Sequence, residues 1–193
     1  MKNYVQIGTN NGNDDFMEII KKLNTRSRII LIEPLSKLID IIKECYSSLA
    51  EKHDINILNI GIVSNKKINT LYEYDGSFDF ALSSVIKRNS FDCISSSITF
   101  EPFTLQEVCD TFEINKIELL YIDTEGYDYE ILNSLDLNKL DIYEIICEKW
   151  NYDIDSSDSI KTGPMYFNNV ILEKYKKYEI SDYDTRNHRF IKK

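Results

Sequence analysis

Two short stretches of the chain place polar groups where chemistry could use them. In "LLYIDTEGYDYEIL" an apolar run delivers Asp123 and Glu125, two residues apart, ahead of Gly126 and a helical pattern carrying Tyr129, Ile131 and Leu132. Carboxylates crowded at a strand end repel one another unless something nearby uses or neutralises a charge, so Asp123 and Glu125 are candidates for handling a proton. The plainer reading is a helix cap, since the helix dipole favours acids at that position. In "YVQIGTNNGNDDF" four extended residues run into a turn bounded by Gly8 and Gly12, and Glu33 closes the next apolar run 21 residues after Gly12.

The spacing of that turn constrains a ligand. A dinucleotide site would show GxGxxG, and a phosphate loop would add Gly-Lys-Ser/Thr; neither is present. The wider Gly8-x-x-x-Gly12 turn lets backbone approach a bulkier, less anionic group, and a carboxylate at Glu33 can accept hydrogen bonds from both hydroxyls of a ribose. Together they point to a nucleoside without a diphosphate. Each alone has a bland explanation, because tight turns need glycine and strand ends are often acidic.

The elements that must position these groups alternate. Residues 4–7 read as a strand, followed by an amphipathic helix with Phe16, Ile19, Ile20 and Leu23 on one face and Asp14 or Asp15 as cap. "RIILIEP" is a second strand. Residues 35–52 read as a helix with Leu35, Leu38, Ile41, Ile42 and Cys45 along one face, and residues 55–60 as a third strand ending near Gly61. "INTLYEY" looks like an extra strand, whereas the serine-rich residues 75–97 read as a loop or short helix. A Thr-capped helix in "TLQEVCDTF" precedes "KIELLYID" and "IYEIICE", strands ending at Asp123 and Glu148. The last segments, "VILEKYKKYEIS" and "HRFIKK", read as an antiparallel hairpin. Alternation of this kind implies an α/β fold with a mostly parallel sheet covered by helices on both faces. Such sheets bind ligands at the carboxyl ends of their strands, which draws attention to residues 6–12, Glu33, residues 61–64, residues 123–126 and Glu148.

Bulk composition narrows the function. The 193 residues, 42% hydrophobic, fit one domain spanning residues 1–193 with a real core. A formal charge of −9 disfavours a broad nucleic-acid surface. The absence of a signal-like start or a 20-residue apolar run predicts a cytoplasmic protein with no membrane contact. Cys45, Cys93, Cys109 and Cys147 are scattered, which favours reduced thiols over a zinc site or a disulfide framework.

At these residues the sequence resembles the FkbM-type methyltransferases, a branch of the class I enzymes that use S-adenosylmethionine. The matching pieces are "VQIGTNNGNDDF", "ILIEPLSKL", "LNIGIVSNKK", "TLQEV", "YIDTEGYDYEIL" and "IICE", in order over roughly residues 3–148. The resemblance implies a Rossmann-like sheet of seven strands with a C-terminal antiparallel hairpin, and O-methylation of a hydroxyl on a sugar, glycan precursor or other small molecule. It implies cofactor contacts from Gln6, Gly8, Asn10, Gly12, Glu33, Pro34, Gly61, Ile62 and Asp123, with Gln6 meeting the amino group of the cofactor. Gln6 stands where many class I enzymes have an acid. The helices that often precede the first strand are also missing, so a lid would come from residues 75–100, residues 150–168 or another subunit.

Methyl transfer needs a base, because a sugar hydroxyl is a poor nucleophile. His53 and His188 read as structural or solvent-exposed, which leaves Asp123 as base or orienter and Glu125 second. Mg²⁺ held by Asp123 and a neighbour is a related possibility without support in any ligand pattern. Lys87 and Arg88 could meet an anionic acceptor such as a nucleotide sugar, or simply be solvated. Trp150 could stack on a sugar or be buried, and Tyr72, Tyr74, Tyr152 and Tyr166 fall where an acceptor site could lie. A homo-oligomer is compatible with all of this. Two other readings stay open: a binding scaffold that keeps the nucleoside pocket without transfer, and a nicotinamide-dependent oxidoreductase.

Overall fold

A computed structural model of the chain describes residues 1–74, 83–87, 94–150 and 163–193. The apolar runs form the strands β1 (Lys2–Ile7), β2 (Ser27–Ile32) and β3 (Asp54–Leu58), with helix α1 (Asp15–Lys21) after β1 and α2 (Ile39–Tyr46) after β2. Five short elements follow: β4 (Gly61–Ile62), β5 (Thr70–Tyr74), β6 (Ser83–Ser84), β7 (Ile94–Thr99) and β8 (Pro102–Phe103). Helix α3 (Leu105–Thr111) then leads to β9 (Lys116–Ile122), α4 (Asp128–Ser134), β10 (Asp141–Glu148) and the hairpin β11 (Tyr178–Asp182) and β12 (Asn187–Lys192).

Seven strands make one sheet in the order β11-β12-β10-β9-β1-β2-β3, parallel except for β12, which runs antiparallel to both neighbours. The order turns back at β1, which lies between β2 and β9, so a crevice opens there at the carboxyl ends. Helices bury both faces: Phe16 and Ile20 of α1, Ile42 and Tyr46 of α2, and Ile131 and Leu132 of α4 join the strand interiors in one apolar cluster. Local chemistry starts the helices. Asp14 caps α1 by accepting the Met17 amide at 3.0 Å, and Thr104 with Glu107 forms a reciprocal capping box on α3.

Three expectations change. The helix read over residues 35–52 opens as a 3-10 turn at Ser36–Leu38 and ends at Tyr46; its inward stripe is Leu38, Ile42 and Tyr46, and Ile41 is exposed. Within residues 75–97, Ser83–Ser84 and the start of β7 are strands that flank β5 in a small antiparallel sheet. The first half of "VILEKYKKYEIS" is helical, as short pieces Pro164–Tyr166, Phe167–Ile171 and Leu172–Lys174. Phe167, Ile171 and Tyr175, four residues apart, bury one face of that run, and the Tyr175 hydroxyl donates to the Leu132 carbonyl at 2.8 Å. Only Tyr178–Asp182 is left to pair with β12.

Candidate active site

The first turn is held by backbone contacts. The amides of Gly8 and Thr9 donate to the Ile32 carbonyl at 3.0 and 3.2 Å, which folds the end of β1 over the end of β2. Gly8 has φ 81, and a Cβ there would lie 1.8 Å from the Asp123 carbonyl oxygen. No side chain fits between the ends of β1 and β9. Asn10 also takes a left-handed conformation, φ 51, which asparagine tolerates better than most residues.

Glu33 braces this turn. It is 4% exposed, and its two carboxylate oxygens accept the amides of Asn10 at 2.7 Å and Leu35 at 2.9 Å. Burial pushes its carboxyl up to about 7 in spite of these donors. A carboxylate offers about four lone-pair sites, so hydroxyls of a ligand can still bind.

Gly8, Asn10, Glu33, Pro34, Gly61, Ile62, Asp123 and Glu125 all line one cleft, enclosing about 720 Å³ with the open solvent at its mouth. Leu38, Leu71, Val85 and Phe100 give it apolar walls, three of them from the small antiparallel sheet and the residues flanking it. The Phe100 ring fits because residue 61 is glycine: a Cβ there would come within 2.3 Å of it. An apolar slot beside a buried carboxylate and a glycine turn suits a nucleoside.

Two cofactor contacts expected from the sequence do not reach this cleft. Gln6 is fully buried and turns its amide to Asp14 Oδ2 at 2.5 Å, because the α1 cap lies directly beneath the end of β1. Gly12, φ 77, packs on the Tyr46 ring and closes the turn through its amide to the Thr9 carbonyl at 2.9 Å. Both shape the turn from behind.

The second motif stands at the ends of β9 and β10. Asp123 donates its amide to the Ile7 carbonyl at 3.0 Å and exposes its side chain to the cleft. Surrounding protein, with the Asp14 charge added and Arg186 opposing, raises its carboxyl to about 6. Glu125 lies at φ 53 and Gly126 at φ 103, where Trp150 and Ile86 close over the glycine. The buried Ser84 hydroxyl donates to the Glu125 carbonyl at 2.8 Å, and the Tyr127 hydroxyl meets Ser64 at 2.6 Å. Asp128 is completely buried, and burial with neighbouring acids raises both Asp128 and Glu148 far above the ordinary carboxylate range.

Sequence reasoning missed Asp128, Ser84 and Phe100. Asp128 could have been suspected, since an acid two residues past a turn glycine can fold back on the turn's own amides. Among other candidates, Trp150 is buried, Lys87 is exposed, and Tyr72 and Tyr166 are half-buried; Arg88, Cys93, Tyr152 and the Tyr74 side chain lie outside the described residues. His53 is buried and accepts the Ser27 amide at 3.3 Å, while His188 stacks on Phe167 at 4.1 Å. Neither lines the cleft. Cys45, Cys109 and Cys147 are free thiols. Among the described residues no group of three ligating side chains is placed to hold a metal, and no helix is long and apolar enough to cross a membrane.

Comparison with known proteins identifies the family. The methyltransferase FkbM domain matches residues 6–181. No curated protein matches the sequence. A methyltransferase from Geobacter sulfurreducens superposes with a TM-score of 0.50 at 8% identity, covering 99% of this chain and 70% of that one. A SAM-dependent methyltransferase from Aquifex aeolicus gives 0.44 at 10% identity, covering 99% and 81%. At such identities the first likeness speaks for shared architecture, and membership rests on the domain match. The chain belongs to the FkbM methyltransferase family and is an S-adenosylmethionine-dependent methyltransferase of class I architecture.

Proposed function

We propose that the protein methylates a hydroxyl on a sugar, glycan precursor or other small molecule, with Asp123 taking the hydroxyl proton. The observation that carries this is the position of Asp123, on the wall of the cleft that also holds the Gly8 turn and Glu33, with its carboxyl at about 6. When bound, the cofactor supplies an electrophilic methyl on a sulfonium. The backbone of Gly8 to Asn10 would cradle its amino-acid end, Glu33 would accept from its ribose hydroxyls, and Pro34, Gly61 and Ile62 would flank its base. Glycine at residue 8 lets the ends of β1 and β9 close together at this wall, since a Cβ there would meet the Asp123 carbonyl oxygen.

Asp123 ionises just below neutrality, so it can accept a proton while the acceptor oxygen is held in line with the methyl carbon. Glu125, two residues further along the turn, is the second group able to hold the acceptor. With both histidines packed elsewhere, the proton acceptors lining the cleft among the described residues are carboxylates, and of these Glu33 is already engaged by the Asn10 and Leu35 amides, which favours Asp123 and Glu125 for the acceptor. Nucleotide sugars belong among the acceptors to test, with exposed Lys87 near the small sheet as a candidate contact.

The test is incubation with methyl-labelled S-adenosylmethionine and a panel of sugars, nucleotide sugars and phenols, read by mass spectrometry. A methyl ether formed by the wild type and lost in Asp123→Asn supports the proposal. Cofactor binding without methylation of any hydroxyl would instead favour a binding scaffold.

A further inference from the structure

The geometry points to Asp128 as the positioning residue of this site: a buried carboxylate that holds the Asp123–Gly126 turn in the shape that presents Asp123 to the cleft. The inference rests on reading Asp123 as the group that meets the acceptor. Asp128 is the first residue of α4, yet it does not act as a helix cap. Its Oδ2 reaches back to accept from the Thr124 amide at 3.3 Å and the Thr124 hydroxyl at 2.9 Å. Its Oδ1 reaches sideways to accept from the Glu148 amide at 3.2 Å, at the end of β10. One carboxylate therefore closes the turn on itself and staples it to the neighbouring strand.

The turn needs such a staple. Glu125, which is not a glycine, occupies left-handed backbone, a shape that surrounding contacts must over-determine to persist. Asp123 directly precedes Thr124, so the direction of its side chain follows from where Thr124 is held. A carboxylate meets all three donors with acceptors alone, whereas an amide of the same shape offers one acceptor oxygen and one donor nitrogen. Asparagine at this position must lose at least the bond on one edge. The completely buried setting and the raised carboxyl of Asp128 show that this group is kept in spite of a desolvation penalty that no cation relieves among the described residues.

Two variants test the assignment, Asp128→Asn and the milder Thr124→Val, which removes one donor without disturbing the buried carboxylate. Hydrogen exchange read by NMR needs no acceptor. In Asp128→Asn the Thr124 and Glu148 amides should exchange at least about tenfold faster while the interiors of β9 and β10 keep their protection. Unchanged protection at those two amides would overturn the assignment. With the acceptor found for the wild type, kcat should fall by about 10- to 100-fold and the KM for S-adenosylmethionine should change by less than about threefold, with Thr124→Val in between. Freed amides with normal kcat would also overturn it. Should Asp128→Asn unfold, Thr124→Val decides by the same two readouts. A wild type that methylates nothing would sink the proposed function while leaving the exchange result to judge Asp128.

Discussion

The two halves of the cleft treat carboxylates in opposite ways. On the β1–β2 side a single buried acid, Glu33, meets two backbone amides. On the β9–β10 side Asp123, Glu125, Asp128 and Glu148 crowd one edge, and desolvation and mutual repulsion raise three of them. The first arrangement fixes a ligand that does not change charge where Glu33 touches it. Burial raises Glu33 too, to about 7, so what sets the second arrangement apart is that several raised acids adjoin one another at the strand ends, where a reaction that removes a proton from a hydroxyl can use them.

The contrast breaks first at its shared hinge. Gly8→Ala would force a Cβ into the Asp123 carbonyl at a left-handed position, so we expect a loss of about 3 kcal/mol or more, or no folded protein, in chemical denaturation. Gly12→Ala meets only the edge of the Tyr46 ring, at 3.2 Å, and should be the milder of the two. A Gly8→Ala variant of normal stability would mean that the ends of β1 and β9 lie farther apart than the 1.8 Å approach of that Cβ implies.

Next in size, Asp123→Asn should lower turnover by about 10²–10⁴-fold with little change in cofactor affinity. In the wild type the rate should rise with pH through a midpoint near 6, and that limb should vanish in the variant. The opposite signature belongs to the other half. Glu33→Ala should weaken cofactor binding by about 1–3 kcal/mol in calorimetry, since buried hydrogen bonds to the ribose and the brace on Asn10 are lost together. If Glu33→Ala bound normally, the division of labour between the halves would be wrong.

The smallest effect is on stability against pH. Glu33 at about 7, and Asp128 and Glu148 raised together by burial and mutual repulsion, titrate above the ordinary unfolded carboxylate value near 4.3, so the folded state holds more protons above it. Their contribution is complete below pH 4 to 5 and is lost as pH rises through 7 and beyond. The melting temperature should therefore fall by on the order of a few degrees from pH 6 to 9. Glu148→Gln should flatten the upper part of that decline.

Much of this was legible in the residues themselves. β1, β2, β9 and β10 announce themselves as apolar runs, and Asp14 and Thr104 as caps, because each depends on neighbours close in sequence. Glu33 and Asp123 were legible from their place at strand ends. The small sheet was not, since "SSSIT" pairs with β5 through backbone and offers no apolar alternation to read. Nor was the turn of Gln6 towards Asp14, because two partners competed for one amide and only packing decides between them. Asp128 was hidden for a related reason: its partners lie four residues back and across a strand. Residues 170–174 misled because Leu172, Glu173 and Lys174 between buried Ile171 and Tyr175 look alike in a strand and a helix.

The central claim is that the cleft holds S-adenosylmethionine across the Gly8 turn and Glu33. Isothermal titration of the purified protein with S-adenosylmethionine, S-adenosylhomocysteine and NAD in parallel tests it most directly. Micromolar binding of the first two and none of NAD is expected. Binding of NAD alone, or of none of the three, would contradict it.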